Sequence, residues 1–174
     1  SNLSINENSS IIVRGFRTNI SDNIEYVSNK YVNDGGKIDL VQSGIENEFN
    51  YRSKAINLNL FSSFLSANKK DGSNQLRRPE KTFGFNLSKK INFNFLKNSN
   101  ISLNYKHYGK HFDTHSVDFN TIEMDSTDIV NLNLTKKVYD TDIFVKINNL
   151  FGENYQRPHG FSQDARIIKF GIRY

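Results

Sequence analysis

The sequence predicts an all-β protein built around one antiparallel sheet of long strands. Three observations support this prediction. Apolar and polar residues alternate with a period of two in many separate segments, short and long connections between these segments follow one another in turn, and no segment shows helical spacing. On each strand, one row of side chains therefore meets an apolar medium and the other row a polar one.

Nine strands follow from this alternation. The last segment is the clearest, because apolar residues at even positions from Ile168 to Tyr174 alternate with Lys169, Gly171 and Arg173. Several segments exceed the roughly 5–6 residues of globular strands and suit the roughly 9–11 of a tilted membrane strand. The predicted strands lie near 10–18, 22–28, 38–51, 55–66, 79–95, 100–108, 128–137, 142–150 and 165–174.

The connections indicate which end of the sheet is which. Short ones are predicted near 19–21, 52–54, 96–99 and 139–141, and longer polar ones near 29–37, 67–78, 109–127 and 151–164. All the short turns then lie at one end, as in transmembrane β-barrels. An odd number of strands favours the last 8–9 strands of a larger barrel, because bacterial single-chain barrels have even numbers. A complete eight-stranded barrel with a structural or adhesion role and a soluble β-sheet binding domain are the alternatives.

Composition excludes several classes of site. The 174 residues contain no cysteine, which rules out disulfides, thiolate zinc sites and a cysteine nucleophile. The 23 Lys and Arg are interspersed with 18 Asp and Glu, so the net charge of +5 predicts no nucleic-acid surface. No nucleophile elbow or acid pair is present, so we expect neither an enzyme nor a cofactor.

Several motifs resemble those of one protein family, the TonB-dependent outer-membrane receptors. The run Asn149–Tyr155 is similar to the family's N-L-F-(D/G)-x-x-Y pattern, and it is followed by His159-Gly160-Phe161 and Ala165-Arg166 as in the family's closing hairpin. Three further segments match in order, namely 43–49 with x-G-(V/I)-E-x-E, 71–79 with tG…L-x-R-R-P, and 2–7 with N-P-N-L-x-P-E lacking its prolines.

This resemblance implies a location, a function and a set of partners. Residues 1–174 would be the C-terminal part of a 22-stranded barrel in the outer membrane of a Gram-negative bacterium, with the plug domain outside this sequence. The function implied is active import of a scarce metal chelate. The motifs are most similar to those of vitamin B12 (cobalamin) transporters, with a ferric siderophore or haem as the other substrates. The implied partners are the TonB–ExbB–ExbD complex acting through the plug, the barrel-assembly machinery, outer-membrane lipid and lipopolysaccharide, and the chelate.

Candidate binding residues lie near the predicted outer ends of strands. Arginines there suit bidentate hydrogen bonds to a substrate or to lipopolysaccharide phosphate. Alternatively, they pair with Glu46, Glu48 or Glu80 inside the barrel. The candidate substrate-binding residues are Arg77, Arg78, His159, Phe161 and Arg166.

The last strand is also a candidate assembly signal. The barrel-insertion machinery would recognise it through edge-strand pairing, and the same row would face lipid. The signal residues are Ile168, Phe170, Ile172 and Tyr174.

Three histidines recur every four residues, at His107, His111 and His115. An extended strand would place them on one face, where imidazoles could bind a transition metal or haem. The favoured interpretation is a hydrated external loop without metal. The five acids between Asp113 and Asp128 are likewise expected to belong to a hydrophilic loop, because their spacing matches no calcium loop.

Overall fold

The computed structural model describes residues 1–22, 24–27, 30–33 and 39–174. In these residues the chain forms thirteen β-strands and one short 3-10 turn, Asn94–Leu96. The strands are β1 (Asn2–Asn6), β2 (Ser9–Ile20), β3 (Glu25–Val27), β4 (Lys30–Val32), β5 (Leu40–Arg52), β6 (Ile56–Lys69), β7 (Lys81–Ile91), β8 (Ser99–Tyr108), β9 (His111–Thr114), β10 (Thr121–Met124), β11 (Thr127–Val138), β12 (Thr141–Asn148) and β13 (Ile167–Arg173).

Nine of these strands form one antiparallel sheet in the order β1-β2-β5-β6-β7-β8-β11-β12-β13. This confirms the all-β antiparallel prediction. The strand pairs β3–β4 and β9–β10 form two separate hairpins. Among the described residues β1 and β13 do not pair with each other, so the sheet is open and does not match a closed eight-stranded barrel.

The connections alternate in length along the sheet, as the sequence predicts, although the first short one is at 7–8 and not near 19–21. Residues 7–8, 53–55, 92–98 and 139–140 connect strands at one end, the short-turn end. Residues 21–39, 70–80, 109–126 and 149–166 connect them at the other, the long-loop end. The described part of the chain contains no helix that could span a membrane.

The register gives the main sheet two chemically different faces. Direct cross-strand partners on the apolar face are Tyr51, Leu58, Leu87, Leu103, Leu132, Ile147 and Ile168. Direct partners on the opposite, polar face are Asn50, Asn59, Asn86, Asn104 and Asn131.

The apolar face is not covered by any other part of the described chain. Leu40 is the one buried apolar residue in that part, whereas Leu60 is 42% exposed and Phe170 is 86% exposed. Burial of apolar surface is the main force in folding, and ordinary soluble proteins do not expose a face of this size. The face therefore needs an apolar medium or partner outside the chain.

The apolar face runs obliquely across the strands. On β5 and β6 it extends from the leucine row towards the long loops, as far as Ile45 and Phe64, which are register partners. On β12 and β13 it extends the other way, as far as the partners Ile143 and Ile172. An apolar layer that crosses the strands obliquely is what tilted barrel strands produce.

Several boundaries differ from the sequence prediction for local backbone reasons. The strand predicted near 22–28 is replaced by β3, which belongs to the small β3–β4 hairpin, and residues 23, 28 and 29 lie outside the described residues. The short turn predicted near 19–21 is wrong, because β2 continues to Ile20 and a long connection follows it. Most of the predicted loop near 29–37 also lies outside the described residues. The strand predicted near 79–95 ends at Ile91, because Asn94 and Asn98 adopt positive φ angles of 46° and 59° in a turn.

Besides β4, which lies within the predicted loop near 29–37, two elements were not predicted from the sequence. The short strand β1 precedes the first predicted strand, and the β9–β10 hairpin lies within a segment interpreted as an irregular loop. Both consist of only 4–5 residues per strand, which is too short for a period of two to stand out.

Aromatic rings on the polar face lie over glycines in the neighbouring strand. Phe61 is the direct partner of Gly84, and a Cβ on Gly84 would come 2.8 Å from its ring and 2.1 Å from the Tyr105 carbonyl oxygen. The pairs Phe16–Gly44 and Phe144–Gly171 repeat this arrangement. These glycines leave the space that the rings fill.

Candidate functional site

Three long loops meet around one buried carboxylate at the long-loop end. We call the connections 70–80, 109–126 and 149–166 the loop cluster. Asp113 has no exposed surface, and its Oδ1 accepts hydrogen bonds from Arg77 Nε at 2.8 Å and the Thr114 amide at 2.7 Å. Its Oδ2 accepts one from the amide of His159 at 2.8 Å. A single side chain therefore links all three loops.

These contacts also set the charge state of Asp113. Burial alone raises the pKa of a carboxyl group, but here the hydrogen bonds from Arg77, His159 and Thr114, together with the charge of Arg77, outweigh burial and lower the pKa of Asp113. The carboxylate is thus ionised at neutral pH, which a buried acid with three donors requires.

The backbone joins the first two loops as well. The Arg77 amide donates to the Phe112 carbonyl at 2.6 Å, next to a parallel bridge between Leu76 and Phe112. Arg77 itself has a positive φ of 61°, a less common backbone conformation for a residue other than glycine.

A pair of histidines connects the second loop to the third. The rings of His115 and His159 stack with centroids 4.6 Å apart, and the Ser116 amide donates to His159 Nδ1 at 3.0 Å. Gly160, at φ 85°, allows the two loops to approach, because a Cβ there would lie 2.6 Å from that of Ser116.

Asn149 shapes the third loop from within. Its side chain is buried, its Nδ2 donates to the carbonyls of Glu153 at 2.8 Å and Asp164 at 3.3 Å, and its Oδ1 accepts from the Glu153 amide at 2.8 Å. Its own amide donates to Asn131 Oδ1 at 2.9 Å. Asn149, the first residue of the N-L-F pattern, thus brings both ends of the loop together above the sheet.

Two cations flank one tyrosine ring where the polar face meets the loops. The Arg157 guanidinium lies 3.7 Å and the Lys106 ammonium 4.4 Å from the centre of the Tyr108 ring. The positive charge of Arg157 also reaches His111, whose pKa is lowered mainly by burial and further by that charge.

The five predicted binding residues fall into two groups. Arg77 and His159 converge on Asp113. In the described structure none of the three candidate arginines, Arg77, Arg78 and Arg166, pairs with Glu46, Glu48 or Glu80, as the alternative interpretation proposed. The other three project from the loops. Arg78 lines a cavity of about 200 Å³, Phe161 is 62% exposed, and the exposed Arg166 lies beside Gly152.

The three histidines do not share a face. His107 is in β8, where it stacks on Phe83 at 4.4 Å, and His111 is buried in β9. His115 is in the loop against His159. Residues 109–110 separate β8 from β9, which belong to different sheets, so the continuous strand that a common face requires is absent from these described residues. In the described part of the chain, no three His, Asp or Glu side chains come together to form a metal site.

An asparagine ladder crosses the polar face below the loops. Nδ2 of Asn59 donates to Asn50 at 2.8 Å, that of Asn86 to Asn59 at 3.0 Å, that of Asn104 to Asn86, and that of Asn131 to Asn104 at 3.1 Å. Each side-chain amide thus donates to the asparagine of the preceding strand in the sheet. The series continues with the backbone amide of Asn149, which donates to Asn131. The ladder borders a cavity of about 610 Å³ that is lined from β1 to β12, so the polar face is concave.

No family model and no curated protein matches this sequence. Solved structures do match. The ferripyoverdine receptor of the outer membrane of Pseudomonas aeruginosa aligns with a TM-score of 0.77 and 15% identity, over 97% of this chain and 25% of its own. The chain has the fold of one segment of such a receptor.

Two further solved structures also align with almost the whole of this chain. The FrpB iron transporter from Neisseria meningitidis aligns with a TM-score of 0.74 and 14% identity over 98% of this chain and 30% of its own. The ferric-catecholate import receptor Fiu from K12 E. coli aligns with 0.74 and 14% over 97% and 25%. The receptor-like segment thus spans about a quarter to a third of the proteins it matches.

Asp113 and the asparagine ladder are the elements of this site that the sequence did not reveal. An acid in a polar loop looks solvated, and nothing local indicates that three loops bury it. The alternation did place Asn59, Asn86 and Asn104 on polar rows, but only the register aligns them into a ladder.

Proposed function

We propose that the chain is part of an outer-membrane active transporter of a Gram-negative bacterium that imports a scarce metal chelate. The observation that carries this proposal is the uncovered apolar face opposite a concave polar face, with every long loop at one end. Lipid would cover the first face, and the second would line a wet interior. The receptors with the same fold support the same location.

The loop cluster would capture the chelate, with its residues divided between two tasks. Arg77 and His159 are engaged by Asp113, so their role is to hold the loops in position. Arg78, Phe161 and Arg166 project from the same loops and are free to contact a ligand.

The remaining partners follow from the family resemblance. Release into the periplasm would need TonB–ExbB–ExbD acting through a plug outside this sequence, and β13 would be read by the barrel-assembly machinery. The row Ile168, Phe170, Ile172 and Tyr174 suits that role, because its side chains are 60–99% exposed at the edge of the sheet.

A ferric siderophore is the first choice of substrate, because the structures described above are named for iron or ferric ligands. Cobalamin rests only on the motif in residues 149–166, and haem is the third choice. The test titrates the full-length protein, purified from outer membranes, with ferric siderophores, haem and cobalamin by calorimetry.

Binding of a ferric siderophore that weakens in Arg78→Ala, Phe161→Ala and Arg166→Ala would support the proposal. Asp140→Asn in a short turn is the control and should bind normally. A folded protein that binds none of the chelates would overturn the proposed function, and tight binding of cobalamin alone would replace the siderophore.

A further inference from the structure

Six lysines lie at the short-turn end of the sheet. We call the six lysines that lie within four residues of a short turn the basic rim. Among the described residues, none of them has a carboxylate oxygen within 4.0 Å. The basic rim consists of Lys54, Lys89, Lys90, Lys97, Lys136 and Lys137.

The long-loop end differs, because several of its basic residues are paired with acids. Lys70 pairs with Asp39 at 2.9 Å, and Lys110 pairs with Glu123 at 2.6 Å. In the described residues near the short turns the acids are Glu7, Asp140 and Asp142, and Arg173 already occupies Asp142 at 2.7 Å. The described residues at the short-turn end therefore carry an excess of positive charge.

Two of these lysines lie at the border of the apolar face. Lys89 is a register partner of Ile56 and Ile101 on that face. Lys136 is a partner of Ile143 on the same face, and its ammonium donates to the Phe95 carbonyl. Such side chains rest their methylene groups on apolar surface and extend the charge to its polar edge.

Exposed aromatic rings accompany the basic rim. Phe95 in the turn 92–98 is 76% exposed, Tyr139 in the turn 139–140 is 94% exposed, and Tyr174 at the end of the chain is 99% exposed. Aromatic rings and lysines at the edge of an apolar belt are the residues that occupy the level of lipid headgroups.

We propose that the basic rim binds the phosphodiester headgroups of anionic phospholipid in the leaflet that faces the short turns. The inference rests on the proposed function only in placing the chain in a membrane. An acidic soluble partner fits less well, because Lys89 and Lys136 belong to the face that meets acyl chains, where a phosphate would sit directly above them.

The test compares phosphatidylglycerol with phosphatidylcholine as bound lipid on the full-length protein, counted by native mass spectrometry from detergent. The variant Lys89→Gln with Lys136→Gln should retain phosphatidylglycerol at least about five-fold less well, since each lysine near an anionic surface contributes roughly that factor. Phosphatidylcholine retention should not change. Raising the salt concentration should weaken phosphatidylglycerol binding to the unaltered protein.

The matched control is Lys81→Gln. Lys81 lies in the same strand and on the same face as Lys89, but at the long-loop end, and it should retain phosphatidylglycerol normally. Equal phosphatidylglycerol retention by all variants would overturn the inference. Chelate affinity is measured on the same samples to keep the two proposals separate. Absence of chelate binding would contradict the transport proposal and would leave the lipid inference to be decided by phosphatidylglycerol retention.

Discussion

The carboxylate of Asp113 accepts a 2.8 Å hydrogen bond from Arg77, a residue 36 positions earlier in the chain and in a different loop. A third loop adds the amide of His159 on the other oxygen. The loop cluster is therefore one connected unit, and its stability depends on a buried charge.

Replacing Asp113 with Ala should loosen the loop cluster without unfolding the sheet. The amides of Thr114 and His159 would lose their acceptor, which costs about 1–3 kcal/mol of local stability. Amide hydrogen exchange should rise in residues 109–126 and 149–166 and stay constant in β5 to β8. Asp125→Asn, at an exposed site in the same loop, is the control, and equal protection in both variants would contradict the role given to Asp113.

Acidification should weaken the loop cluster in two steps. Burial lowers the pKa of His111 below 6.5, so loosened loops take up more protons than the native ones and stability falls as pH drops below that value. The lowered pKa of Asp113 adds a second loss below about pH 4, towards its native pKa. Limited proteolysis across pH 4–8 follows the first step, and His111→Gln should remove it. A first step that persists in His111→Gln would assign it to another group.

Gly84→Ala should destabilise the sheet by about 1–3 kcal/mol, because the new Cβ would meet the Tyr105 carbonyl and the Phe61 ring. Gly15 is a matched glycine in β2, with no atom within 4 Å of a Cβ position, so Gly15→Ala should be neutral or stabilising. Denaturant unfolding in detergent compares the two. Similar losses at both positions would show that the Phe–Gly pairs do not restrict the sheet.

Asn86→Ala should weaken the sheet more than Asn57→Ala. Asn86 is in the middle of the ladder. Its removal leaves Asn59 Oδ1 without this donor and Asn104 Nδ2 without this acceptor. We expect a loss of about 1 kcal/mol per hydrogen bond, whereas the exposed Asn57 is outside the ladder. Thermal unfolding of both variants measures the difference. Equal stability would mean that water replaces the missing amide freely.

The particular elements that sequence reasoning predicted are those fixed by local alternation. Leu58 and Asn59 were assigned to opposite faces because side chains in a strand alternate regardless of what the strand pairs with. The limits of the strand near 79–95 were wrong because Asn94 and Asn98 adopt a turn conformation that their side chains tolerate, although the apolar spacing continues through them.

The candidate site was harder to predict because it depends on distant contacts. Arg77 and His159 were singled out as ligand contacts, but their partner Asp113 comes from a third segment, and the sequence does not encode that meeting in any local pattern. The asparagine ladder depends on the register of four strand pairs, and a slip of one residue in any of them would break it.

We expect the apolar face, and not the polar face, to meet lipid. A single-cysteine scan of 56–64 in β6 tests it directly, and the sequence contains no cysteine that would interfere. In the full-length protein in membranes, spin labels at 58, 60 and 64 should be relaxed by oxygen dissolved in lipid, and those at 57, 59 and 63 should not. Equal accessibility of both sets to a water-soluble relaxing agent would contradict the claim.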